Sequence, residues 1–399
     1  MEPSLHYTHA NIDLALLRQR AFNYRWATLP PDVIALTAAD PDFPVADPIR
    51  DALLDYVRSG VYSYGPHEGL SEFREACAAM MRNRRGVATA QAGQILPIDS
   101  VASAMTVVTR LLMQPGDEAI IFDPVDYLFR TSVEAVGGKV ITIPLDPATN
   151  RPDWSALPRL VSARTRLLGV CSPINPLGLV LRRDELQLLG DFAVAHKLWV
   201  LNDEIWSDIV FPPHQYISMA ALGGAISERC ITVHGMSKTF GLAGLRVGYL
   251  HAPTEALYQG LVKTSQVLTT AGGVSTLSQV AATAALEQAW PWVEAFMCHL
   301  QKQRDMAVTR LNAMPGVHCS APEATYLLFP QVTVAGMDSL ALQTHLLEVG
   351  RVAVVPGAAK FFGPGAEGHL RICFATSSEI LTEGLDRIEH TLRALAGKP

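Results

Sequence analysis

Between residues 95 and 251, short unbroken apolar runs alternate with stretches of helical periodicity. The runs predict strands over Glu118–Phe122, Lys139–Ile143, Thr165–Val170, Leu198–Leu201, Cys230–Val233 and Arg246–Leu250. Between them, Ser100–Leu112 and Asp184–His196 repeat their apolar positions at the spacing of one helix face. Strands apolar on both sides must be covered on both faces, so the pattern predicts an α/β fold around a mostly parallel sheet.

The flanking segments read differently. The first forty residues are irregular and end in the turn-rich Asp40-Pro-Asp-Phe-Pro44. Asp47 is a candidate cap for a helix with Pro48 in its first turn. Another helix is expected from Leu70 to about Arg82, with a stop at Arg84-Arg85-Gly86. After Ser275 an Ala-rich helical region continues past Trp292 to about Leu311. Short strands follow at Tyr326–Phe329, Val352–Val355 and Leu370–Phe374, then a last helix from Ile380. The expected organisation is a large domain over residues 50–285 and a small α+β domain. The small domain is built from residues 286–399, which begin with an interdomain helix, joined by the N-terminal segment 1–49.

Apolar residues make up 49% of the 399, which argues against a disordered chain. The formal charge is −6, and the strongest basic cluster is only Arg82, Arg84 and Arg85, so nucleic-acid binding is not expected. Six scattered cysteines with no CxxC pair read as reduced and mostly buried, which suits the cytoplasm. No signal-peptide pattern and no apolar run of membrane-spanning length is visible.

The chemistry centres on Ser237-Lys238-Thr-Phe-Gly241-Leu-Ala-Gly244-Leu-Arg246. Lys238 follows an apolar strand in a Gly-rich turn, the placement a Schiff-base lysine needs. Asp203 ends another strand, where a carboxylate points into the crevice at the carboxyl edge of a parallel sheet. Asn175-Pro-Leu-Gly178 follows the strand Thr165–Val170 and offers an amide. Each has an ordinary alternative when taken singly: a surface turn, a helix cap, a tight turn. Together they point to one site.

These segments resemble the class I/II aminotransferases of pyridoxal 5′-phosphate (PLP) fold type I. Seven blocks carry the resemblance, in family order: Asp40-Pro-Asp-Phe-Pro, Tyr64-Gly-Pro-His-Glu-Gly69, Pro115-Gly-Asp, Asn175-Pro-Leu-Gly, Asp203-Glu-Ile, the Lys238 segment and Arg371-Ile-Cys-Phe-Ala. The resemblance implies a PLP enzyme with a large domain and a small domain, working as a homodimer on an amino acid and a 2-oxo acid. It implies that Lys238 holds the cofactor and shuttles protons, Asp203 pairs with the ring nitrogen and Asn175 contacts the phenolic oxygen. Arg246, Ser237 and Gly235 would bind phosphate with the backbone of Ser100, Val101 and Ala102, at a helix N-terminus suited to anions. Tyr64 would reach the neighbouring subunit's phosphate. Arg371 would clamp the substrate's α-carboxylate as a planar bidentate donor, near Ala39 and Asn175.

Several positions depart from the family pattern. Ser100 stands where glycine is common, and Leu177 where threonine is usual. The aromatic that should cover the cofactor ring is expected at position 126, which is aspartate, so Tyr127 is the nearest candidate. Trp206 replaces a tyrosine and keeps only a donor N–H. Transamination is the leading expectation. A carbon–sulfur β-lyase, or a specialised amino-acid cyclase or oxidase of the same fold, is the alternative. An aminotransferase-like sensor is the reading from a different class. The surroundings of Phe43, Tyr127 and Trp206 point weakly to an apolar or aromatic donor. His67 and His234 are expected to have ordinary partners.

Overall fold

The computed structural model describes residues 7–333 and 336–397. Seven strands form the central sheet: β1 (Ile95–Ile98), β2 (Glu118–Phe122), β3 (Lys139–Ile143), β4 (Thr165–Cys171), β5 (Trp199–Asp203), β6 (Cys230–Gly235) and β7 (Gly248–His251). Their spatial order is β1-β7-β6-β5-β4-β2-β3. The pairs from β6 to β3 are parallel, whereas β7 runs antiparallel to both β6 and β1. The sheet is therefore mixed. Arg246 lies outside it, in the left-handed region at φ 52°, so β7 starts two residues later than the apolar pattern predicts.

Every residue of β1, β6 and β7 is buried, including the polar Thr232 and His234 of β6, so these strands are covered on both faces. Register places Cys171 of β4 beside Asp203 of β5, and Asp203 beside Val233 of β6. The carboxyl ends of three neighbouring strands thus share one edge, and the chemistry-bearing residues follow from them.

Helix boundaries expose two differences from the pattern. The helix Asp47–Arg58 has Ala46 at its cap, and Asp47 is already inside the first turn, where its charge suits the helix dipole. The Ala-rich region is two helices, Thr276–Gln288 and Trp290–Asn312, divided at Ala289. Pro291 explains the division, because it starts a helix readily and cannot continue one. The helix Ser71–Arg85 ends at Gly86, whose φ of 71° terminates it.

The remaining strands are short. Ile34–Ala35 pairs in parallel with Val352–Ala353, which ties the N-terminal segment to the end of the chain. Leu370–Cys373 lies between Leu327–Leu328 and Val355–Pro356. The turn after residue 39 is braced from within: Arg25 and the Trp26 indole N–H both donate to the buried Asp42 carboxylate. A buried arginine needs such a partner, since an unpaired one would cost several kcal/mol.

Candidate active site

Lys238 sits in a single helical turn, Met236–Thr239, directly after β6. Its Nζ donates to the Ala39 carbonyl at 2.7 Å and lies 3.8 Å from Asp40 Oδ1. The indole face of Trp206 is 5.7 Å from Nζ. The turn is anchored by its next residue, whose Thr239 Oγ1 donates to Asp208 Oδ2 at 2.9 Å. Arg85 holds the other oxygen of Asp208 at 2.6 Å, and both side chains are almost wholly buried.

Asp203 ends β5 and is buried. Oδ1 accepts the Ile205 N–H at 3.0 Å, so it does cap the following turn. Among the described residues Oδ2 has only the Cys171 thiol, at 4.0 Å. Burial pushes its carboxyl up to about 7, with Asp126 and Glu204 adding repulsion. A protonated ring nitrogen is the kind of partner such a carboxyl lacks, because it would satisfy Oδ2 and favour the ionised form.

Ser100 caps the helix Val101–Leu112, its Oγ accepting the Ser103 N–H at 3.1 Å. That leaves the first-turn amides of Val101 and Ala102 at an anion-favouring helix end. Arg246 is exposed, with its guanidinium 3.9 Å from Asp99 Oδ2. Gly235 caps the Lys238 turn, and Ser237 lies within it. These residues fit a phosphate, with Asp99 as the anion that competes for Arg246.

Asn175, after β4, joins two elements. Its Nδ2 donates to Asp126 Oδ2 at 2.6 Å, and its Oδ1 accepts from Arg371 Nη1 at 3.2 Å. Arg371 lies on the buried strand Leu370–Cys373, and its Nε has no hydrogen-bond partner among the described residues. Phe362 packs against its guanidinium at 5.2 Å. A fixed guanidinium with an unused donor suits a carboxylate.

Other expected site residues are placed less directly. Ala39 is buried and contributes its carbonyl, which also accepts from Tyr326 Oη at 3.1 Å. Trp206 is buried edge-on against Tyr326, 4.7 Å between centroids. Tyr127 opens the helix Tyr127–Glu134 and is 44% exposed. Tyr64 is 91% exposed. Phe43 is committed to a core cluster with Tyr7 and His299, so it lends no support to an apolar donor. His234 is buried with its Nδ1 2.9 Å from the Glu204 carbonyl, and His67 is on the surface. Tyr326, Asp208 and Arg85 were not foreseen, since no local motif marks a side chain that matters only through distant contacts.

Sheet order, the lysine turn after β6 and the aspartate ending β5 define the fold type I architecture of PLP-dependent transferases. A family model described as "Aminotransferase class I and II" matches residues 31–388, and the chain belongs to that family. Aspartate aminotransferase of Pyrococcus abyssi is 33% identical over 365 residues, covering 91% of this chain and 92% of that protein. Aromatic-amino-acid aminotransferase 2 of Thermococcus litoralis is 31% identical, covering 90% and 92%. Among solved structures, the aromatic aminotransferase from Pyrococcus horikoshii superimposes with a TM-score of 0.85 at 31% identity, covering 96% of this chain and 99% of that one.

Proposed function

We propose that this chain is a PLP-dependent aminotransferase that moves an amino group between an amino acid and a 2-oxo acid. One observation carries the reading: Lys238 and Asp203 project from adjacent strand ends, while Arg371 reaches the same edge through Asn175. Lys238 would hold the cofactor, with Asp203 at its ring nitrogen. Arg246, Ser237, Gly235 and the amides of Ser100, Val101 and Ala102 would hold its phosphate. Bound PLP supplies a protonated ring that accepts the electrons released at the substrate's α-carbon.

The chain's own residues do the rest. Arg371 binds the α-carboxylate and fixes which bond faces Lys238. Once freed, Nζ of Lys238 takes the α-proton and returns it on the cofactor side. The Ala39 carbonyl, 2.7 Å from Nζ in the resting arrangement, keeps that nitrogen at the site's centre. Tyr326 and Trp206 back this corner with apolar surface.

A homodimer is part of the reading. Tyr64 is supported as a residue for a neighbour's site by its near-complete exposure beside the exposed Val61 and Tyr62. Among the described residues no helix is long and apolar enough to cross a membrane. Free cysteines, mostly buried, support a reducing compartment such as the cytoplasm.

The test is a half-reaction. Purified enzyme is mixed with single amino acids, and the cofactor spectrum and released products are followed. Conversion to pyridoxamine phosphate with one equivalent of 2-oxo acid is expected without added acceptor. Release of ammonia, a thiol or a cyclised product with an unchanged cofactor would replace transamination by elimination or cyclisation.

A further inference from the structure

Position 126 carries an aspartate where the family resemblance implies an aromatic ring. Part of its role is local. Asp126 caps the helix Tyr127–Glu134, with Oδ1 accepting the Leu128 N–H at 3.1 Å. A cap needs only one oxygen, and asparagine or serine serves as well. The second oxygen is therefore informative: Oδ2 accepts from Asn175 Nδ2 at the short distance of 2.6 Å.

The direction of that bond is set from the far side of the amide. Arginine has donors only, so Asn175 must turn Oδ1 toward Arg371 and Nδ2 toward Asp126. The carboxyl ends a chain of donors running from Arg371 through Asn175. Burial raises the pKa of this carboxyl, and the Leu128 N–H and the cations Arg371 and Lys238 act in the opposite sense. Asp203 and the Cys171 thiol are its acidic neighbours. Asp40 faces Lys238 from the N-terminal segment, and Tyr127 and Tyr326 face Arg371. Asp126 is pinned by two hydrogen bonds among these groups, so its charge is delivered to a fixed place.

We propose that Asp126 is a charge-setting residue of the active site: in place of a stacked aromatic ring, its carboxylate favours the protonated form of the nitrogen that joins Lys238 to the cofactor. The proposal rests on the cofactor reading above. The physical basis is that a nearby anion stabilises a cation over its neutral form. A protonated nitrogen is also the more readily displaced by an incoming amine.

The experiment is a spectroscopic titration of the cofactor-loaded protein between pH 5 and 9.5. Wild type is compared with Asp126→Asn, Asp126→Glu and Asp126→Phe. Asparagine caps the helix as well as aspartate does, so Asp126→Asn removes charge and leaves the fold. The expected result is that the chromophore's midpoint falls by about one unit or more in the Asn and Phe variants. It should stay near wild type in the Glu variant. Equal midpoints in wild type and Asp126→Asn would overturn the proposal while leaving the cofactor reading intact. Absence in wild type of a chromophore that depends on Lys238 would overturn both.

Discussion

Arg371 Nη1 donates to Asn175 Oδ1 at 3.2 Å, across 196 positions of sequence. The bond joins the strand Leu370–Cys373 to the loop after β4, so the guanidinium is held by a side chain that follows directly from the central sheet. Thr37 and Phe362 border it from two further segments.

Lysine cannot reproduce that fork, because it presents a single compact charge. Replacing Arg371 by lysine should raise KM for the amino donor by roughly 10- to 100-fold, the scale of a lost charge-assisted hydrogen bond. Steady-state kinetics with one donor checks this, with the cofactor spectrum as control for an intact Lys238 linkage. An unchanged KM would remove Arg371 from the carboxylate site.

Asp203 predicts a pH effect on the cofactor-free protein. Its carboxyl is held at about 7 in the folded chain, against an ordinary 3.8. As pH rises the unfolded chain gives up this proton first. The contribution to stability is therefore full below about pH 4 and lost as pH approaches about 7. Asparagine does not ionise. The melting temperature of Asp203→Asn minus that of wild type should grow across this window and level off above it. His234 and His251, both held down to about 4 by burial, act in the opposite sense. They are present in both proteins and cancel in the difference. A flat difference would mean that Asp203 is not held neutral.

The buried pair of Arg85 and Asp208 supports Thr239, the neighbour of Lys238. Asp208→Ala strands the arginine without its closest partner and should cost about 3–5 kcal/mol in denaturant unfolding. The same variant should bind PLP more weakly, because the lysine turn loses its anchor. Full stability would show that Glu204, 3.8 Å from Arg85 Nε, carries the charge alone.

Gly178 closes the turn that presents Asn175. Its φ is 68°, and an added Cβ would lie 2.5 Å from Pro322 Cβ and 2.9 Å from the Ala324 carbonyl. Gly178→Ala should destabilise the protein by about 1–3 kcal/mol through strain and overpacking. Thermal melting measures it, and a neutral substitution would show that this loop yields.

Local pattern was enough for much of the fold. The strand Glu118–Phe122 coincides with its apolar run because it is inside the sheet and nearly all buried, and the edge strand Lys139–Ile143 was still marked by Val140, Ile141 and Ile143. The break at Ala289 was missed because the Ala-rich composition continues through it, and only Pro291 marks it. Position 126 was legible as a departure from the family pattern, but its role was not, since nothing near it in the chain names Asn175.

Composition and motif order determined the family, and they placed Lys238 and Asp203 after apolar strands and Ser100 at the start of a helix. These are short-range properties: they depend on residue type, spacing and the geometry of one strand or one turn. Tertiary structure alone decided that Asp126 faces Asn175, that Arg85 braces the lysine turn through Asp208, and that Phe43 belongs to the core. Those relationships join residues far apart in the chain. Burial and hydrogen-bond partners are fixed only when the sheet and the N-terminal segment close on one another.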